Sequence, residues 1–113
     1  MASGYAVLYY STTVSSGGTT SAEIDLQGMV PVGITFPASM TSTSASFTVS
    51  DTTGGTFRAL YRSDGTLYTI TVTASAQVIL PPYDFCGARF IKIVTGSSEG
   101  ADRTILLAMR DVT

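Results

Sequence analysis

Apolar and polar positions alternate along this chain in short runs separated by turn residues, and no window of eleven or more residues carries apolar side chains at helical spacing. Ser44 to Ser50 is the clearest run. Ala45, Phe47 and Val49 fall on one side and Ser46, Thr48 and Ser50 on the other, the period of a strand with one buried face. Ala22 to Leu26 does the same, with Ile24 and Leu26 inward, Glu23 and Asp25 outward, and Gly28 as its end. Phe57 to Arg62 and Leu67 to Val72 flank Ser63-Asp64-Gly65, a hairpin signal that predicts two strands paired with each other. Gln77 to Leu80 is a further strand. Pro81-Pro82 then break the ladder, residues 85–87 make a corner, and Arg89 to Val94 resumes, with Lys92 on the same side as Phe90 and Val94. Arg103 to Val112 is apolar on both faces, which predicts a central strand.

The remaining segments are less regular. Met29 to Phe36 is apolar but contains Pro31, which cannot donate to a ladder, so it reads as an edge strand or a bulged one. Residues 38–43 are too polar and β-branched for more than one helical turn. Asp51-Thr-Thr-Gly-Gly is a turn, and residues 15–21 read as a flexible loop. Tyr5 to Tyr10 is either a core strand or an arm that covers a neighbouring subunit. Together these elements predict an all-β fold, a β-sandwich of about eight antiparallel strands closed as a jelly roll. The chain reads as one domain, with an N-terminal strand or arm plus loop over residues 1–20 and the sandwich over 21–113.

Composition narrows the chemistry. The 113 residues include no histidine, no tryptophan and one cysteine, and only 12% are charged. Enzyme sites are usually built from imidazoles, clustered carboxylates or thiols, so the expectation is a non-enzymatic protein with no catalytic residues, cofactor or metal. Cys86 follows Phe85 and reads as a small apolar residue near the core; alone it forms no intrachain disulfide. The net charge is −2, with one lysine, Lys92, and five dispersed arginines, which argues against nucleic acid. The apolar start is too short for a secretory signal, and nothing approaches the 18 apolar residues of a membrane span, so no membrane partner is expected.

Three weaker constellations remain. Glu23 with Asp25, or the turns at Asp51 and Asp64, offer oxygens to calcium, but the Asp-x-Asx-x-Asx-Gly pattern is absent and such residues serve more often as solvated faces and turns. Tyr9, Tyr10, Tyr61, Tyr68 and Tyr83 offer stacking faces for a sugar, although strand tyrosines more often pack across strands or anchor interfaces. Thr69, Thr71 and Thr73 alternate without a repeat behind them, as expected of β-propensity on a solvent face.

A family resemblance carries the reading further. Ala22-Glu-Ile-Asp-Leu-Gln-Gly-Met-Val-Pro-Val-Gly-Ile-Thr-Phe-Pro-Ala-Ser-Met, then Ser-Phe-Thr-Val-Ser-Asp and Phe57-Arg-Ala-Leu-Tyr, resemble small structural proteins of tailed bacteriophages. Tyr68-Thr-Ile-Thr-Val, Ile79-Leu-Pro-Pro-Tyr-Asp-Phe-Cys-Gly-Ala-Arg-Phe-Ile-Lys-Ile and Arg103-Thr-Ile-Leu-Leu-Ala-Met-Arg-Asp-Val look like the same family. The resemblance runs from about Ser21 to the end. It implies a galactose-binding-type jelly roll made in the host bacterial cytoplasm and carried in the virion, as a capsid decoration or cement protein. Its implied partners are further copies of itself, with a trimer favoured, and the major capsid protein lattice. The alternative it leaves is a carbohydrate- or receptor-binding module of a phage tail or fibre, with a glycan as ligand. By exposure, the candidate interface residues are Tyr5, Tyr9, Tyr10, Asp51, Thr52, Thr53, Thr56 and Arg103.

Overall fold

The structure is a computed structural model and describes residues 7–85 and 87–111. Nine strands form two antiparallel sheets: β1 (Val7–Val14), β2 (Ile24–Asp25), β3 (Val30–Thr35), β4 (Ser44–Ser50), β5 (Arg58–Ala59), β6 (Thr69–Thr71), β7 (Gln77–Ile79), β8 (Phe90–Thr95) and β9 (Arg103–Arg110). One sheet runs β1-β9-β3-β7. In the other, β2-β8-β4 is bordered by β5 and β6, which both pair with β4.

The register shows what β5 and β6 are. Thr48 and Val49 face Ala59 and Arg58, whereas Ser44, Ala45 and Ser46 face Thr71, Ile70 and Thr69. The two pieces lie end to end along one edge of β4, and the chain leaves that edge between them. They are therefore one strand interrupted by a protruding tip. Counted so, the described residues form eight strands in the orders 1-8-3-6 and 2-7-4-5, a double Greek key, and the jelly-roll sandwich expected from the alternation is present.

The core lies between the sheets. Phe47, from the buried side of β4, meets Tyr68 and Phe85 edge to face, with ring centroids 5.9 and 5.3 Å away, and Tyr68 and Phe85 close the triangle at 5.2 Å. Leu26, Ile34, Leu80, Ile91, Ile93, Ile105, Leu107 and Met109 fill the space around them, all fully buried. β9 sits between β1 and β3, as its two apolar faces predicted.

Other expectations are adjusted. Met29 to Phe36 is not an edge strand along its length: β3 lies between β9 and β7, and the register shift between Pro31 and Gly33 supplies the bulge. The Ser63-Asp64-Gly65 turn forms, closed by the Gly65 N–H donating to the Arg62 carbonyl. Its arms pair with each other only next to the turn, at Tyr61 and Leu67, because the flanking residues are taken by β4. The loop at 15–21 is tied down: Gly17 and Glu99 anchor it by backbone hydrogen bonds, and Ser21 donates to the Ile93 carbonyl. Lys92, on the outer side of β8, covers the Phe57 ring with its ammonium 4.3 Å from the centroid. Cys86 and Tyr5 lie outside the described residues.

Candidate functional site

The protruding tip builds the first candidate site. Arg62 fixes it: its guanidinium lies 4.5 Å over the Tyr68 ring and donates to the carbonyls of Leu67 and Thr69 at 3.0 and 3.2 Å. Asp64 closes the turn by accepting from the Thr66 N–H and hydroxyl at 2.9 and 2.7 Å, and these bonds hold its carboxyl below the usual carboxylate range. The 3₁₀ turn Pro82–Phe85 stands beside the tip. Between them opens a cup of about 460 Å³ lined by Tyr61, Arg62, Asp64, Tyr68, Tyr83 and Asp84.

Tyrosines of one type have separate fates here. Tyr68 is a core residue whose hydroxyl donates to Asp84; burial first, then that bond and the Asp84 charge, push its pKa up to about 12. It cannot be the free stacking face its strand position suggested. Tyr61 and Tyr83 are 58% and 84% exposed, with their rings at the rim. Tyr10 is half-buried on β1, and Tyr9 is exposed beside it.

A second cup, of about 450 Å³, adjoins the 51–56 loop and is lined by Val49, Asp51, Thr52, Thr56, Arg58 and Gly87. Glu23 shapes that loop, accepting from the Thr53 hydroxyl and the Gly54 N–H, and its carboxyl is lowered by those two bonds. Asp51, Thr52, Thr53 and Thr56 are all exposed. Asp25, the other outward acid of that segment, pairs instead with Arg89 at 2.9 Å.

Arg103 belongs to neither cup. Its Nε donates at 3.0 Å to Glu99, a fully buried carboxylate inside what the sequence presents as a polar loop. Glu99 also accepts from the N–H groups of Thr41 and Ser42 and from the Ser42 hydroxyl. Burial alone would raise the Glu99 pKa, but these donors together outweigh it and bring it down to about 2. Glu23, Asp25, Asp64, Asp84 and Glu99 thus each have their own partner, and among the described residues no three His, Cys, Asp or Glu side chains gather to hold a metal.

The outer face of the β1-β9-β3-β7 sheet is the third feature. Tyr9, Ala108, Gly33 and Ile79 form one row across all four strands, and Ser11, Leu106, Thr35 and Gln77 the next. The middle of the first row is small. Gln77 lies over Gly33, where a Cβ would stand 2.7 Å from its Nε2. The rims are large and apolar: Tyr9 and Ile79 are 59% and 82% exposed, and Leu106 and Val7 are exposed between and beside them. Among the described residues β1 is also the edge of its sheet, and its last residues are met by another segment, where Thr12 and Thr13 bond Ala22. No helix among the described residues is long and apolar enough to cross a membrane.

No family model matches the chain, and no curated protein does. Among solved structures it is similar to the SPBc2 prophage-derived protein YomS, with a TM-score of 0.55 and 17% identity over 92% of this chain and 94% of that one. That likeness shows a shared fold over nearly the whole of both chains.

Proposed function

We propose that this chain is a non-enzymatic structural protein of a phage particle, a decoration or cement protein that acts as a homo-oligomer on the assembled shell. The observation that carries the reading is the outer face of the β1 sheet, where Val7, Tyr9, Leu106 and Ile79 are exposed together beside an open strand edge. A monomer in water gains nothing from such a surface, whereas a second copy laid on it removes apolar area from solvent and can extend the sheet past β1. The fold shared with a prophage-derived protein and the resemblance of residues 21–113 to phage structural proteins support the virion setting. Cyclic symmetry matches the axes of a shell, and a trimer is the favoured form.

Light scattering across a concentration range tests the self-association, and cosedimentation with assembled shells and with free coat protein tests the partner. The expected result is a stable oligomer that sediments with shells and not with free coat protein. Leu106→Lys and Tyr9→Lys should each weaken self-association at least tenfold, because either places an ammonium in the apolar face. A strict monomer that ignores assembled shells overturns the reading.

A further inference from the structure

We propose that the cup between the protruding tip and the 3₁₀ turn is a binding site for a neutral glycan, with Tyr61 and Tyr83 as its stacking platforms. The tip is an insertion into a strand that could run uninterrupted along β4, so its residues are not needed to complete the sheet. What the insertion adds is a rigid rim. Arg62 holds the tip by its stack on Tyr68 and its two carbonyl bonds, and Tyr68 ties the floor into the core through Phe47 and Phe85. A site fixed before its ligand arrives spends little of its binding energy on ordering loops.

The groups left facing the cup suit a sugar. Two exposed phenol rings offer flat apolar faces to the C–H side of a pyranose, with hydroxyl tips for its rim. Asp64 uses one oxygen, Oδ1, for Thr66, and Asp84 receives the Tyr68 hydroxyl; both carboxylates keep lone pairs that accept from sugar hydroxyls. A few convergent polar groups around stacking surfaces is the usual make-up of a small-ligand site. An ammonium ligand would meet the same rings and carboxylates beside the Arg62 guanidinium; a polyol also uses the phenol hydroxyls at the rim, and release by choline distinguishes the two.

None of the residues lining the cup is among Val7, Tyr9, Leu106 and Ile79 of the apolar outer face, so it is tested independently of assembly. Affinity electrophoresis of the full chain through gels cast with neutral polysaccharides (dextran, mannan, galactan, a soluble chitin derivative) is the direct experiment. At least one gel should retard the chain, with release by the matching monosaccharide. Tyr61→Ala and Tyr83→Ala should each weaken retention at least tenfold and together abolish it, with the melting temperature held because both side chains are exposed. Ile79→Ala, on the other sheet, should leave retention unchanged. The proposal is overturned if no gel retards the chain, if the double variant is retained like the parent, or if choline rather than a sugar releases it.

Discussion

Glu99 gathers donors from residues 41, 42 and 103 into one buried carboxylate, and the loops at 15–21, 38–43 and 96–102 meet around it. Removing it would leave the N–H groups of Thr41 and Ser42 and the Nε–H of Arg103 without the acceptor they share. Glu99→Ala should therefore destabilise the fold by about 3 kcal/mol, as breaking a buried ion pair does, and lower Tm by on the order of 10 °C. The pH dependence follows from the direction of its shift. With a folded pKa of about 2 against an ordinary 4.5, its contribution is complete above pH 4.5 and is lost as pH falls toward 2. Denaturant titrations of parent and variant should show a stability gap that is constant near neutrality and narrows over that acid interval. A gap that stays constant through it would mean that Glu99 is not held as the charged form. Nothing in the local sequence marks this residue, since Ser97-Ser-Glu-Gly-Ala-Asp looks solvated and its donors at 41 and 42 lie more than fifty positions away.

Strand existence was legible because alternation is a local property; strand partnership was not. Phe47 at the centre of β4 and the bulge around Pro31 could be read from a few residues each. That residues 58–60 and 68–71 continue one another along β4 depends on register with a segment earlier in the chain, which no local pattern encodes. The same holds for the candidate site. Tyr61, Tyr68 and Tyr83 are equivalent as letters, and only the excursion and the 3₁₀ turn decide which is core and which is rim. The register makes a further prediction. Phe47 lies opposite Leu60 by the β5 count and opposite Tyr68 by the β6 count, so deleting residues 60–67 should fuse the two pieces in register with Tyr68 in place. The shortened chain should retain its β-type circular dichroism and cooperative melting, with stability reduced by the loss of the half-buried Leu60. Loss of cooperative unfolding would mean that the tip is part of the core.

At the scale of the molecule, stability rests on β9. It closes the chain, lies between β1 and β3, and sends Ile105, Leu107 and Met109 into the core. A chain ended at Asp102 should remain unfolded, with no cooperative transition in denaturant, because β1 loses its strand partner and the core loses Ile105, Leu107 and Met109 together. Since β9 pairs with β1 across nearly the whole length of the chain, folding should be slow for this size, in milliseconds to seconds as for other sandwiches of non-local pairing, and stopped-flow refolding would measure it.

The pairing of Val7 with Arg110 also places the two ends of the described chain at the same end of adjacent antiparallel strands. A force applied by tethers at those two ends would act across the ladder and open its hydrogen bonds one at a time, like a zipper, instead of shearing all of them at once. Pulled at Val7 and Arg110, the molecule is consequently weak. On the shell proposed above, such a subunit would be better held by its faces than by tethers at Val7 and Arg110.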